Sequence, residues 1–328
     1  EVWNSEHMRA TRLKMLNGEI PNSCRKCFAE EEKGIVSKRR WETEVWDSRL
    51  DIDDIVSKTD EQGNLPVNIP YFDLRLGNVC NLKCVMCSPH DSSSWIKEWK
   101  LNMPEYENKD LIKDQSWDSD FDYTWYKKGS FIESMKEQAQ HIKELYFAGG
   151  EPLMIPEHYN ILQFMVDEGH AQNCCVRYNS NGTDIPEKLL TLWEHFREVT
   201  FNFSIDAYGD KNDYIRYPSK WSTIEKNIKM LDSTLPHIRI NIAAAAQLLN
   251  IAYIDELAQW KQDQNFTKVN LPPFGGGMIS THLVYLPNYL NVRVLPKELK
   301  EFAKQRITNF VDRQKFNLEF NNSPMGKM

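Results

Sequence analysis

Cys80, Cys84 and Cys87 stand in the run Gly77-Asn78-Val79-Cys80-Asn81-Leu82-Lys83-Cys84-Val85-Met86-Cys87. The spacing CxxxCxxC delivers three thiolates from one short loop. A cubane iron–sulfur cluster takes four ligands, so three from the protein leave one iron open to a substrate or cofactor. The competing reading is a structural zinc knuckle. Zinc usually takes four Cys or His ligands arranged as two pairs, and no second such pair lies near this run.

Elements that would position such a loop follow from the pattern of apolar residues. From Tyr71 the chain alternates strand and helix. Candidate strands are Phe72–Leu76, Glu144–Ala148, Cys175–Asn179, Val199–Ser204, Ile238–Ala244 and Lys268–Leu271. Helical stretches lie between them at Trp95–Leu101, Phe131–Ile142, His158–Val166, Glu187–Phe196, Trp221–Leu231 and Ile254–Gln262. Strands joined by helices predict a parallel sheet with right-handed crossovers, a partial or complete β/α barrel. Such barrels carry their chemistry at the C-terminal ends of the strands. The cysteine run directly follows the first strand, where that rule places chemistry.

Other strand ends carry polar or glycine-rich motifs. Gly149-Gly150-Glu151-Pro152 follows the second strand, and its glycines let backbone approach a ligand closely. Asn179-Ser180-Asn181-Gly182-Thr183 follows the third, and Ser204-Ile205-Asp206-Ala207 the fourth. Tyr214-Ile215-Arg216 precedes the helix at Trp221, and Gln247-Leu248-Leu249-Asn250 follows the fifth strand. Each has an ordinary reading: GGE and Asn-Gly are common turns, a strand-end serine is often a bonded core hydroxyl, and an exposed arginine contributes little.

Taken in order, these motifs resemble the radical S-adenosylmethionine (SAM) enzymes over about residues 71 to 275. The resemblance implies a partial (β/α)6 TIM-like barrel and a [4Fe-4S] cluster on Cys80, Cys84 and Cys87. It implies that Gly149, Gly150 and Glu151 meet the SAM amino group. Asn179 and Asn181 would lie near the ribose, Ser204 and Asp206 near the ribose or carboxylate, and Arg216 against the carboxylate. The family usually has an aromatic residue just before the third cysteine. Here Met86 occupies that position, a flexible apolar side chain, which alters the cover over adenine. One electron, from a donor such as flavodoxin or ferredoxin, would cleave SAM to methionine and a 5′-deoxyadenosyl radical that takes hydrogen from substrate. The cofactors do the hard chemistry, and the protein supplies geometry and exclusion.

The N-terminal region adds Cys24-Arg25-Lys26-Cys27. With Trp3-Asn4-Ser5-Glu6, Leu13 to Gly18, Glu31, Gly34 and Ser37, it resembles the closing half of SPASM or twitch modules, which hold an auxiliary iron–sulfur cluster. Here the segment precedes the barrel instead of following it, and it is expected to be incomplete at its N-terminus. A half zinc site or plain thiols are the alternatives for Cys24 and Cys27. Relatives with such modules commonly modify peptides or proteins by crosslinking, oxidation or epimerisation. The resemblance therefore implies a peptide substrate, with a small molecule (sugar, nucleotide or lipid precursor) as the second choice. A non-enzymatic metal-binding scaffold is a distant third.

The chain of 328 residues divides on this reading into a segment over 1–56, a linker over 57–70, the barrel over 71–275 and an extension over 276–328 with a helix at Lys297 to Phe316. Asn102 to Ser130, rich in Asp, Trp and Tyr, reads as an insertion, and its part from Trp117 to Tyr126 is suited to lining a substrate groove. A net charge of −7 disfavours nucleic acid as the main partner. No run of eighteen apolar residues predicts a membrane span. Seven cysteines, an odd number in tight clusters, suit metal binding in a reducing cytoplasm. Cys174 and Cys175, neighbours on a strand, face opposite sides. They read as buried small hydrophobes, or one faces the barrel mouth and donates a hydrogen atom. His141, His158, His170, His195 and His237 show no ligand spacing and read as surface or core.

Overall fold

The computed structural model describes residues 2–34, 36–102, 121–270 and 279–322. It divides into two compact units, Glu1–Pro70 and Tyr71–Met328.

The first unit holds four helices: α1 (Glu6–Leu16), α2 (Arg25–Glu31), α3 (Lys38–Asp47) and α4 (Ile52–Ser57). Ser5, Ser37 and Asp51 cap α1, α3 and α4 through side-chain oxygens, meeting N–H groups that a helix start leaves unbonded. The stretch 57–70, read from sequence as a linker, is bonded back onto α1. Arg12 donates to the carbonyls of Trp3 and Gly63. Asn4 exchanges hydrogen bonds with the backbone of Leu65, and the Trp3 indole donates to the Pro66 carbonyl. Side-chain bonds from Trp3, Asn4 and Arg12 to its backbone, which the Gly and Pro content does not reveal, tie this stretch to the unit.

The second unit is a partial (β/α)6 barrel. Its strands β1 (Tyr71–Arg75), β2 (Glu144–Ala148), β3 (Cys175–Ser180), β4 (Glu198–Ser204), β5 (Ile238–Ala246) and β6 (Ser280–Leu283) lie in sequence order, all parallel. Among the described residues, the connections carry α5 (Ile96–Asn102), α6 (Gly129–Glu137), α7 (Pro156–Asp167), α8 (Glu187–Trp193), α9 (Asp210–Ile215), α10 (Trp221–Ser233) and α11 (Ile254–Asp263), and α12 (Lys297–Asn322) follows the sheet. The helix-facing side of the sheet is apolar. Leu145, Phe147, Val176, Tyr178, Val199, Phe201, Phe203, Ile240 and Ile242 are all fully buried there, each contributing about 1.5–3 kcal/mol.

The sixth strand differs from expectation. Of the stretch expected at Lys268–Leu271, Leu271 lies outside the described residues, and the rest makes only an isolated bridge, Val269 to Ile240. Asn270 adopts a left-handed backbone, φ 51°, and its side chain accepts the Ile242 N–H. That bond takes up the Ile242 N–H with a side-chain oxygen in place of a backbone carbonyl. Ser280–Leu283 pairs with β5 instead.

The inner face of the barrel is polar. Arg177 pairs with Glu144 at 2.6 Å, Arg239 with Glu198 at 3.0 Å and Arg75 with Asp73 at 3.2 Å. One row nearer the strand ends, Asn241 donates to Asn202 and Asn202 to Asn179, at 2.9 and 2.8 Å. These three side chains form an amide ladder across β5, β4 and β3, where strict two-residue alternation brings equivalent positions into register.

Candidate active site

The cysteine loop leaves β1 and is fixed by the protein itself. Ser94 donates to the Cys80 carbonyl, Ser92 to that of Leu82 and the Trp95 indole to that of Cys84. The backbone N–H groups of Lys83 and Val85 donate to the carbonyls of Tyr217 and Ile215, at 2.6 and 2.9 Å. The loop is therefore held from both the α5 side and the α9 side.

The second strand end is shaped to this loop. A Cβ on Gly150 would fall onto the Val79 carbonyl and within 2.6 Å of the Asn78 carbonyl carbon. Gly149 has φ 110°, which side chains resist. The Gly149 and Gly150 pair thus lets two backbones touch. Glu151 then turns inward, its N–H bonded to the Val79 carbonyl. Its carboxylate accepts from the Ser180 hydroxyl at 2.8 Å, the Asn181 N–H at 2.8 Å and the Leu153 N–H at 3.2 Å. Burial raises its pKa to about 7 despite these donors. Each carboxylate oxygen offers two lone pairs, so capacity remains for a cationic ligand.

Asn181 is tied into the same loop. Its amide donates to Asn81 at 2.8 Å, lies 4.0 Å from Cys80 Sγ, and accepts from the Thr183 N–H and hydroxyl. Asn179 belongs to the amide ladder two residues below. Ser204 faces inward, one row above that ladder, opposite Ala243. Met86 is half-buried in the cysteine loop.

Asp206 and Arg216 meet each other. The guanidinium Nη2 donates to Asp206 Oδ1 at 3.0 Å, and Nε lies 2.8 Å from Oδ2. Arg216 Nη1 lies 3.9 Å from Cys84 Sγ. The Cys84 thiol is lowered, first by its hydrogen bond with Cys87 and, after the opposing effect of burial, by the charge of Arg216. The same bond raises Cys87, while burial pushes Cys80 to about 11.

This donor set fits a cubane better than a single ion. Cys80, Cys84 and Cys87 are free thiols from one loop, with the Arg216 guanidinium beside Cys84, and soft thiolate ligands of this kind are what iron–sulfur clusters take. A cubane takes each thiolate on a different iron.

The remaining sequence expectations divide. Cys24 and Cys27 are one helical turn apart at the start of α2, beside Arg39, which stacks on Phe28 and pairs with Glu31. Cys175 sits in the row of Glu144 and Glu198 at the N-terminal end of β3. That is about 20 Å of extended chain from Asn181, so neither it nor buried Cys174 faces the mouth as a hydrogen donor. His158 is a core residue, bonded to Tyr178 at 2.8 Å. Gln247 and Asn250 are fully buried, and Asn250 donates to the Asp206 and Ala245 carbonyls.

Sequence reasoning missed Ser180, Asn202 and Asn241. Ser180 sits beside a residue that was singled out, and only its bond to Glu151 marks it. The two asparagines were hidden inside strands.

A cleft of about 430 Å³ lies beside β1, lined by Asp73, Arg75, Gly77, His90, Asp91, Phe121, Tyr123, Trp125 and Gly149. Tyr123 bonds His90 at 3.0 Å. The first part of the aromatic insert, residues 117–120, lies outside the described residues.

Six parallel strands thus carry a three-cysteine loop at the end of the first. The model of the radical SAM superfamily matches residues 74–261, more than half the chain, and the chain belongs to that superfamily. No curated protein matches it. Among solved structures, Streptococcus suis SuiB bound to S-adenosylmethionine is 14% identical with a TM-score of 0.46, covering 94% of this chain and 64% of that one. Native anSMEcpe with bound AdoMet is 15% identical with a TM-score of 0.44, covering 61% and 50%. TYW1 with a lysine-pyruvate adduct bound is 16% identical with a TM-score of 0.35, covering 74% and 72%. The chain spans about half the length of the anSMEcpe chains. No helix among the described residues is long and apolar enough to cross a membrane.

Proposed function

We propose that this enzyme modifies a peptide or protein, and that Cys80, Cys84 and Cys87 hold the [4Fe-4S] cluster at which SAM binds. The chemistry supplied when both are bound is removal of a hydrogen atom from substrate by a 5′-deoxyadenosyl radical. Glu151 would accept the SAM ammonium while Ser180 and Asn181 hold its carboxylate in place. Ser204 and the Asn179 end of the ladder would face the ribose side. Met86 would cover the adenine, with Arg216 fixed behind the cluster loop by Asp206.

The open cleft beside β1 carries the peptide reading. It reaches Gly77 and Gly149 at the base of the site, and Phe121, Tyr123 and Trp125 give it an aromatic wall. Among the described residues the inner face is open. Arg75, Asp73 and Arg239 keep 67%, 39% and 42% of their side-chain surface exposed, as suits a chain segment more than an enclosed small molecule. Cys24 and Cys27 would supply two ligands to an auxiliary cluster that takes up or delivers an electron during oxidative chemistry. A flavodoxin- or ferredoxin-like protein would supply the first electron.

The test is anaerobic turnover of reconstituted enzyme with dithionite, SAM and short peptides encoded beside its gene. The expected result is 5′-deoxyadenosine above the peptide-free background together with a mass change in the peptide. Turnover only with a sugar, nucleotide or lipid precursor would replace the peptide reading.

A further inference from the structure

Asp206 and Arg216 form a buried pair that faces a cluster ligand. Asp206 has no exposed surface, and the Arg216 side chain keeps 12%. Asp206 is fixed from several directions. Its N–H donates to Asn212 Oδ1 at 3.0 Å, its Oδ1 accepts the Ala245 N–H at 2.7 Å, and its carbonyl accepts from Asn250 at 2.8 Å. Arg216 leaves α9 with its N–H on the Asn212 carbonyl at 2.8 Å. One edge of the guanidinium is thus committed to a carboxylate that cannot move. The remaining donor, Nη1, is directed at Cys84 Sγ, 3.9 Å away.

We infer that the Asp206–Arg216 pair sets the reduction potential of the cluster carried by Cys84. Iron–sulfur potentials depend on net charge and on hydrogen bonds to the sulfurs. Reduction adds one electron to the cluster, with no bond made or broken and no proton taken up. A guanidinium N–H beside the thiolate stabilises that added charge. Asp206 neutralises most of the guanidinium charge and limits the effect. Arg216 is on this reading a positioning and tuning residue, distinct from a ligand of the SAM carboxylate. The inference rests on the three-cysteine cluster site and is independent of the substrate.

The experiment is an EPR-monitored redox titration of reconstituted enzyme without SAM, for wild type, Arg216→Gln, Asp206→Asn and Arg216→Lys. Arg216→Gln removes the guanidinium with its charge and reach and leaves the Asp206 charge unneutralised. It is expected to make reduction about tenfold less favourable, a shift of ~59 mV downward for one electron. Asp206→Asn leaves the guanidinium charge unneutralised and is expected to shift the potential upward. Arg216→Lys keeps the charge and is expected near wild type. Opposite signs from the two partners of one pair are not produced by simple loosening of the fold. Unchanged potentials in Arg216→Gln and Asp206→Asn would overturn the inference. Loss of cluster from all three variants in a folded protein would also overturn it, making the pair structural. Failure of wild type to assemble a four-iron cluster would instead count against the cluster site itself.

Discussion

Glu151 shows how one residue's surroundings set its chemistry. Its raised pKa of about 7 means that burial favours the neutral acid in the folded protein. The sign follows from linkage. The stability contributed by the neutral form is fully present below the ordinary value of 4.5 and is lost as pH rises through about 7. The charged form therefore costs roughly 3 kcal/mol of folding stability at high pH. Ammonium binding needs that charged form, while the α-ammonium of SAM itself begins to lose its proton near pH 8, so SAM affinity is expected to rise about fourfold between pH 6 and pH 8. Equilibrium dialysis with labelled SAM on wild type and Glu151→Gln checks this. A variant as pH-dependent as wild type would remove Glu151 from the role. The GGE motif was legible in sequence, but the inward turn of Glu151 onto Ser180 and Asn181 was not. Those donors arrive from β3, about thirty residues later in the chain.

At the scale of elements, the strand ends and the cysteine loop are fitted to one another. Gly150→Ala places a methyl against the Val79 and Asn78 backbone, and is expected to cost about 1–3 kcal/mol and to impair cluster assembly. Urea unfolding and iron content measure the two effects separately. Asn202 sits at the centre of the amide ladder with a bond on each side. Asn202→Ala is expected to cost about 1–2 kcal/mol while leaving the [4Fe-4S] EPR signal in place, since the ladder lies below the cysteine loop. Of the strands, β1 to β5 were legible because their apolar runs are bounded by breakers. β6 was not, because Ser280-Thr281-His282 offers no apolar alternation. The apolar residues near Lys268 pointed to a strand, and among the described residues only Val269 bridges to Ile240, next to a left-handed Asn270. The ladder was illegible for a related reason. An asparagine inside an apolar strand reads as a local exception until register puts it beside two others.

Taken as a whole molecule, two units contribute two groups of cysteines with different standing. The three in the barrel sit in a loop fixed by bonds from several elements, and the two at the start of α2 lie beside Arg39. Iron analysis after anaerobic reconstitution separates their roles. About eight irons per chain, falling to about four in Cys24→Ala/Cys27→Ala, is the result expected if the pair joins an auxiliary cluster. About four in both proteins would leave α2 with plain thiols. Core packing is a property of this same scale. Phe201 touches Tyr178, Trp193 and Phe203 between sheet and helices, and Phe201→Ala is expected to cost about 3–5 kcal/mol by thermal unfolding. The sequence by itself determined the alternation of strand and helix, the three-thiolate loop and the motif at each strand end. These depend on local spacing, which a chain carries at every stage of folding. Tertiary structure alone decided that Asp206 grips Arg216, that Arg216 turns to Cys84, and that three asparagines align across the barrel's inner face. The ladder and the Arg216–Cys84 contact join residues far apart in the chain, brought together by the register and crossovers of the parallel sheet, while Asp206 and Arg216 lie ten positions apart and meet through the turn of α9.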